Sequence, residues 1–146
     1  MIIKEIELNE SVLEQLIRMS QIWEKEDSCY GYRSNTKEDI EGNRIFIAEE
    51  NGEIIAYLFG HSAKSQNQSS IIPDGADCFE VMEIYVLPEY RNQGIGTKLF
   101  AFMEECISDE YVTLSTATKN WKAILHFYVE EAGMRVHSTR LFKTRQ

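Results

Sequence analysis

The spacing of hydrophobic and polar residues predicts strands and helices that alternate along most of the chain. Within residues 3–8, Ile6 and Leu8 alternate with Glu5 and Glu7, which is typical of a half-buried strand. Apolar residues then recur at helical spacing from Leu13 to Trp23, and the run from Ser11 to Glu14 matches a capping box. The first part of the chain is therefore predicted to be a strand followed by an amphipathic helix.

A polar connection and a hairpin are expected next. Residues 24–43 are mostly polar, and we interpret them as a surface helix–loop–helix whose second helix begins near Thr36. Two strands follow at 44–48 and 53–61, and the Asn51-Gly52 pair between them is a strong signal for a tight hairpin turn.

The long polar stretch 62–77 leads into the central strand of the chain, at 81–87. A loop of this length is usually either functional or flexible, and we expect this one to contact a substrate, with plain disorder as the alternative. Pro88 ends the strand because it lacks a backbone donor. An apolar face at helical spacing then predicts a helix over 95–106.

The last third of the chain predicts one more helix between two strands. The strands are expected at 111–116 and 134–142, and the amphipathic helix at 121–132 is followed by Gly133, which suits a left-handed cap. The element order β-α-α-β-β-β-α-β-α-β predicts a mixed α/β fold. Without repeats or a linker, residues 1–146 are expected to form a single domain.

Composition narrows the classes of partner. The net charge is −9, which argues against nucleic acid or an anionic membrane as a partner and favours a cationic one. Three widely separated cysteines fit a reducing compartment and no structural zinc, and we expect no bound metal. With no apolar run of membrane-spanning length and no N-terminal signal segment, the protein is expected to be soluble and cytoplasmic.

The turn between the central strand and the next helix is the most informative stretch. It contains Arg91, Gly94 and Gly96, and its two glycines let the backbone approach a ligand closely. The first N–H groups of a helix have no intrahelical partner and carry partial positive charge, so this turn is suited to a phosphate, to which Arg91 would add a forked donor. A pair of glycines alone would equally fit an ordinary turn.

The whole string Ile-Tyr-Val-Leu-Pro-Glu-Tyr-Arg-Asn-Gln-Gly-Ile-Gly-Thr-Lys-Leu, residues 84–99, closely resembles the acetyl-CoA signature of the GNAT acyltransferase superfamily. Arg91, Gly94 and Gly96 fill the three defining positions of that signature, Arg/Gln-x-x-Gly-x-Gly/Ala. The predicted element order is also that of the GNAT fold, a central, mostly antiparallel sheet flanked by helices.

The resemblance implies an acetyl-CoA site along the strand and the turn. The strand edge would pair with the pantetheine arm, a backbone N–H of Tyr85 or Val86 would polarise the thioester oxygen, and the turn would hold the pyrophosphate. An asparagine at the start of the last helix would bond the same arm. The residues expected to bind acetyl-CoA are Ile84, Tyr85, Val86, Arg91, Asn92, Gln93, Gly94, Ile95, Gly96, Thr97 and Asn120.

Two glutamates on the central strand are candidates for the base that deprotonates an amine. Glu80 and Glu83 are three residues apart, which puts them on opposite faces of a regular strand unless a bulge intervenes. The apolar neighbours of Glu83 suggest partial burial, which would raise its pKa and suit it to general-base catalysis. We therefore expect Glu83 to be the base, with Glu80 as the second candidate.

Tyr128 resembles the tyrosine that the superfamily often uses to protonate the coenzyme sulfur. The separations from Asn120 to Tyr128 and from Tyr128 to Gly133 are each one residue longer than is usual, which leaves the orientation of the tyrosine open. An aromatic residue at helical spacing can equally be part of the core.

The resemblance implies an N-acetyltransferase that binds acetyl-CoA and an amine acceptor and transfers the acetyl group directly. A small polyamine or aminoglycoside suits the acidic chain as acceptor, with acidic residues near the expected cleft at Glu24, Glu26, Asp27, Glu38, Asp39 and Glu41. A protein N-terminus or lysine is the second option, and a non-catalytic acyl-CoA-binding module is the alternative from another class. The protein is expected to be a monomer or a homodimer.

Overall fold

The structure, a computed structural model, describes residues 1–67 and 71–145. Its strands are β1 (Ile2–Ile6), β2 (Arg44–Glu50), β3 (Glu53–Lys64), β4 (Asp77–Val86) and β5 (Tyr111–Leu114). Its helices are α1 (Glu10–Glu26), α2 (Lys37–Ile40), α3 (Ile95–Cys106) and α4 (Trp121–Ile124), and α4 continues as a wider π-helical segment over Leu125–Glu131. A short 3₁₀ turn at Pro88–Tyr90 follows β4.

The five strands form one sheet in the order β1-β2-β3-β4-β5. All neighbouring pairs are antiparallel except β4 and β5, which are parallel. The β2–β3 hairpin turns through Asn51 and Gly52, which both have positive φ, as a two-residue hairpin of this type requires. The mixed α/β fold with a mostly antiparallel sheet is thus confirmed.

Helices cover both faces of the sheet and bury two apolar clusters. One cluster packs β2, β3 and β4 against α3, through residues such as Phe46, Leu58 and Leu99. The other packs the opposite face against α1 and α2, through residues such as Leu16 and Ile40. This opposite face also carries the polar groups of the candidate site.

A bulge in β4 changes which side chains face which helix. Phe59 pairs with Glu83 while Gly60 pairs with Val81, so Met82 is one extra residue on β4. Before the bulge Phe79 and Val81 belong to the α3 cluster, and after it Tyr85 belongs to the α1 cluster. The odd spacing of Glu80 and Glu83 therefore does not separate them, and both side chains lie on the α1 face.

Gly60 fits this bulge because a side chain there has no room. A Cβ on Gly60 would lie 2.2 Å from the carbonyl oxygen of Glu80 and 2.9 Å from a ring carbon of Phe79. The close approach of the two backbones requires glycine at this position.

The structure corrects three predictions of elements. The predicted last strand at 134–142 is wrong, because residues 134–145 form no helix or strand. Polar residues 137–140 interrupt the apolar pattern there, so the segment presents no continuous apolar face to bury. The N-cap of α1 is Asn9 and not Ser11, since the side chain of Asn9 accepts the bond from the backbone N–H of Val12.

The third correction concerns the long loop. Because β3 extends to Lys64 and β4 begins at Asp77, the connection is shorter than the predicted 62–77. Residues 68–70, in the middle of that prediction, lie outside the described residues. Among the helices of the described chain, none has the length and apolar character needed to cross a membrane.

Candidate active site

A cleft opens where β4 and β5 stop pairing. The parallel pairing joins Cys78–Val81 to Tyr111–Leu114 and ends there, so the following part of β4, from Met82 to Val86, has no strand on that side among those described. The cleft beside it has a volume of about 340 Å³. Its described lining residues come from the end of α1, the loop after it, β4, the end of β5 and the π-helical segment, and they include Trp23, Tyr30, Tyr32, Arg33, Glu83, Ile84, Thr116 and Tyr128.

A short backbone bridge closes one side of this cleft. Cys29 and Thr118 form an isolated antiparallel bridge, with bonds from the Tyr30 N–H to the Ala117 oxygen at 2.8 Å and from the Lys119 N–H to the Ser28 oxygen at 2.9 Å. The loop after α1 is thereby attached to the loop after β5.

Glu83 lies in the cleft and accepts three hydrogen bonds on a single oxygen. The hydroxyls of Tyr32 and Tyr57 donate to its Oε1 at 3.1 and 2.9 Å, and the amide of Asn35 donates to the same atom at 2.9 Å. No described residue donates to Oε2, so this oxygen is available to a bound molecule.

Burial raises the pKa of Glu83 above its ordinary value, and the bonds from Asn35, Tyr57 and Tyr32 oppose that rise. Desolvation disfavours the charged carboxylate, whereas donors to the carboxylate favour it, and here desolvation is the larger effect. A carboxyl with a raised pKa is the kind of group that can take a proton from an ammonium near neutral pH.

The partners of Glu83 were not found from the sequence. Asn35 is only 7% exposed, and its backbone N–H donates to the Ser20 hydroxyl of α1 at 2.9 Å. Tyr57 occupies a fully buried strand position that the pattern assigns to the core. A polar side chain in a buried segment is the signal that could have indicated them.

Glu80 is on the same face as Glu83 but at the exposed end of the strand. Its carboxylate is about half exposed and lies 3.7 Å from Nε2 of His61. It does not line the cleft. Of the two candidate bases, Glu83 is the one that the fold brings to the cleft.

Tyr128 lines the same cleft as Glu83. It lies in the π-helical segment, whose i→i+5 bonds include the one from the Ala132 N–H to the Phe127 oxygen at 2.9 Å. A π turn holds more residues than an α turn, so it absorbs the longer spacing around Tyr128. Burial, with a smaller contribution from Cys29, raises the pKa of Tyr128 to about 12, so its hydroxyl keeps its proton near neutral pH.

Asn120 is the N-cap of α4, and its side-chain oxygen accepts from the Ala123 N–H at 3.1 Å. Its position at the start of this helix is as predicted. Its contact with a pantetheine arm stays a prediction.

The turn at 91–97 presents an open backbone surface. Asn92 and Gly94 have positive φ, and Gly94 is the N-cap of α3, with no side chain bonded to the helix end. A Cβ on Gly94 would meet no atom within 4 Å, so space lies in front of the turn. These features fit a pyrophosphate held by the N–H groups of residues such as Ile95 and Gly96.

Gly96 has a second role in packing. A Cβ there would lie 3.3 Å from a ring carbon of Phe127, the neighbour of Tyr128. The Thr97 hydroxyl donates to Oε2 of Glu131 at 2.6 Å. The turn and the π-helical segment are therefore in contact, and Gln93 lies on the exposed side of the turn.

Arg91 is engaged within the protein. Its two terminal nitrogens donate to the carboxylate oxygens of Glu26 at 2.6 and 3.0 Å, and its Nε donates to the Val86 oxygen at 3.0 Å. These bonds use the forked donor that we expected to face a phosphate. In this structure the open backbone of the turn, more than Arg91, is the surface available to an anion.

An aromatic stack connects the turn to the cleft. The Arg91 guanidinium lies 5.3 Å from the centre of the Tyr85 ring, Tyr85 stacks on Trp23 at 5.0 Å, and Trp23 stacks on Tyr32 at 4.2 Å. Tyr32 in turn donates to Glu83. The turn at 91–97 and the candidate base are thus connected through packed side chains.

The fold and the cleft together define an acyltransferase of the GNAT class. The model of the acetyltransferase (GNAT) family matches residues 11–134, and the chain belongs to that family. No curated protein is detectably similar to the chain in sequence.

Solved structures agree with this fold. A variant of the BH1408 protein from Bacillus halodurans is similar over 100% of both chains, with a TM-score of 0.73 and 18% identity. An aminoglycoside acetyltransferase, meta-AAC0020, from an uncultured soil metagenomic sample has a TM-score of 0.67 and 19% identity over 99% of this chain and 97% of its own. The aminoglycoside N-acetyltransferase AAC(6')-Iy in complex with CoA has a TM-score of 0.66 and 16% identity, over 99% of this chain and 98% of its own.

Proposed function

We propose that this protein transfers the acetyl group of acetyl-CoA directly to a primary amine of a small molecule. The observation that carries the proposal is that Glu83 and Tyr128, a carboxyl and a phenol with raised pKa values, line one cleft beside the unpaired edge of β4. That edge continues into the turn at 91–97, which suits a pyrophosphate.

Each group has a distinct task in this proposal. Acetyl-CoA supplies a thioester carbonyl that an unprotonated amine can attack. Glu83 takes a proton from the ammonium on its free oxygen, Oε2, directly or through a water molecule. A backbone N–H of Tyr85 or Val86 stabilises negative charge on the carbonyl oxygen. Tyr128 donates its hydroxyl proton to the sulfur as the carbon–sulfur bond breaks, and the second proton released by the nitrogen returns to the phenolate through water.

The sequence predicts a polyamine or aminoglycoside as acceptor, and the names of two similar structures belong to that class. The acidic residues behind this prediction are mostly paired within the protein. Glu26 pairs with Arg91, Asp27 with Lys119 and Glu41 with Lys37, while the side chain of Asp39 bonds the start of α2. Their charge is therefore not directed at the cleft and does not select a polycationic acceptor. The proposed function specifies the acceptor only as a small molecule with a primary amine.

Thiol release tests the proposed function. Acetyl-CoA is mixed with a panel of small amines, and the free thiol is followed with a chromogenic disulfide, with calorimetry of acetyl-CoA binding in parallel. We expect one acetyl-CoA site per chain and amine-dependent thiol release.

Two other outcomes would favour the alternatives. Binding of acetyl-CoA with no thiol release for any amine would favour a non-catalytic acyl-CoA-binding module. Release with peptides bearing a free N-terminus or lysine, and not with small amines, would favour a protein acetyltransferase.

A further inference from the structure

The cleft is lined by one acidic and one basic side chain. Among the described residues that line it, Glu83 supplies the carboxyl group and Arg33 supplies the guanidinium. The remaining walls are aromatic, hydroxyl, thiol, apolar or backbone groups, with Trp23 from the end of α1 and Tyr30 and Tyr32 from the loop after it. Partly desolvated aromatic surroundings strengthen interactions with a single charged group.

The proposed mechanism gives no task to Arg33, the basic residue of this cleft. Its side chain is exposed and forms no ion pair or side-chain hydrogen bond within residues 1–67 and 71–145. The acidic residue of the cleft, Glu83, accepts three bonds. A guanidinium presents several donors in a fixed fork, which matches the oxygens of a carboxylate, sulfonate or phosphate.

The backbone on both sides of Arg33 is anchored by its neighbours in the chain. Tyr32 donates to Glu83, and Asn35 is buried with bonds to both Glu83 and Ser20. The loop that carries Arg33 is thus attached at both sides to the candidate base and to α1. Arg33 and Glu83 therefore line the same cleft, and a molecule bound there is flanked by both.

The coenzyme does not supply an anion for Arg33 under the proposed function. None of residues 91–97, where the pyrophosphate is expected, lines this cleft. The pantetheine arm expected along β4 is uncharged. An anionic group at Arg33 would consequently belong to the acceptor.

We propose that the acceptor is a small molecule carrying both a primary amine and an anionic group, with the amine at Glu83 and the anion bound by Arg33. This inference rests on the proposed function and names its substrate class. Arg33 also disfavours polyamines, because a second ammonium of a dication would meet a like charge. The shared chemistry is an amine joined to a carboxylate, sulfonate or phosphate by a short linker.

Matched pairs of amines provide the test. β-Alanine and its longer straight-chain homologues are each compared with the corresponding carboxamide, together with taurine, an aminoalkyl phosphate, putrescine and spermidine. We expect the anionic member of the best pair to have a kcat/KM higher by roughly tenfold to a hundredfold, the range of a charge-assisted hydrogen bond. The carboxylate, sulfonate and phosphate members show which anion is preferred.

The variant Arg33→Gln should bring the ratio within each pair close to one, and Arg33→Lys should retain part of it. The matched control is Arg18→Gln, because Arg18 is also exposed and forms no ion pair within the described chain but lies on α1 outside the cleft. The control should keep the native ratio. A native ratio near one, a ratio unchanged in Arg33→Gln, or a preference for polyamines would overturn the proposal.

Binding measurements separate failure of this inference from failure of the proposed function. The same pairs are titrated calorimetrically into the protein saturated with CoA, in the native chain and in Arg33→Gln. Tighter binding of the anionic member that is lost in Arg33→Gln, without any thiol release, would support the anion site and contradict the acetyltransferase function. Thiol release with no dependence on Arg33 in either measurement would support the function and overturn the anion site.

Discussion

The hydroxyl of Tyr57, on β3, donates a hydrogen bond of 2.9 Å to Oε1 of Glu83, on the neighbouring strand β4. Tyr57 is fully buried. Its bond helps to hold the Glu83 carboxylate in an orientation that leaves Oε2 available. A donor to a carboxylate lowers the pKa of the acid, so this bond opposes the rise that burial causes.

The variant Tyr57→Phe should raise the pKa of Glu83 further. The base would then be protonated up to a higher pH, so the acidic limb of the kcat/KM profile should move to higher pH. The control is Tyr111→Phe, since the Tyr111 hydroxyl has no hydrogen bond within the described chain. A Tyr57→Phe profile that coincides with the control profile would show that Glu83 does not control this limb.

Glu83→Gln removes the proposed base while keeping its shape. We expect turnover near neutral pH to fall by roughly 10²-fold or more, the usual contribution of a general base. Raising the pH should recover much of the rate, because free amine becomes available without a base. Steady-state kinetics across the pH range check this prediction. If turnover does not fall in Glu83→Gln, Glu80 or a chain of water molecules becomes the leading candidate for the base.

Tyr128→Phe removes only a hydroxyl. With a pKa of about 12, the native phenol is protonated at working pH and is able to donate to the departing sulfur. Turnover should fall by roughly 10²-fold while calorimetry shows unchanged affinity for acetyl-CoA. Full turnover across the pH range would assign the proton to another group or to water.

Gly94→Ala tests the anion-binding turn against a closely matched control. Gly94 and Gly42 both have positive φ, 76° and 80°, and a Cβ on either meets no atom within 4 Å. Both alanine variants should therefore lose a similar stability, roughly 1–2 kcal/mol. Only Gly94→Ala places a methyl group in front of the turn, so only this variant should bind acetyl-CoA more weakly, by about tenfold or more. Equal affinities in the two variants would count against the assignment.

Gly60→Ala should destabilise the sheet at the bulge. Its Cβ would lie 2.2 Å from a backbone oxygen, which cannot move without disturbing the pairing of β3 with β4. Overpacking of this kind costs about 1–3 kcal/mol in well-packed interiors. Chemical denaturation measures the loss, and an unchanged free energy of unfolding would mean that the two strands shift apart easily.

The sequence allowed most of the element order, the hairpin and the tight turn before α3 to be predicted, because each has a local signal. Asn51-Gly52, Pro88 and the two glycines of the turn act through backbone conformations that few other residues favour. The bulge at Met82 has no such signal, since its presence depends on the pairing with Gly60.

The surroundings of the candidate site were less predictable for the same reason. Asn35 and Tyr57 are far from Glu83 in the sequence, and only the folded sheet brings them together. The predicted strand at 134–142 is an error of another kind, in which a local signal is present but the partner is not. Its residues favour a strand, but the segment pairs with no strand among those described.

The extra residue in β4 has a genetic consequence. Because side chains alternate along a strand, the face that Glu83 occupies is set by its pairing with Phe59, and Met82 is the residue that this pairing leaves over. Loss of the single codon for Met82 would remove the bulge and leave a regular strand, in which Glu83 and Tyr85 still face α1 and Ile84 still faces α3. The orientation of the carboxyl therefore tolerates both substitution and deletion at Met82.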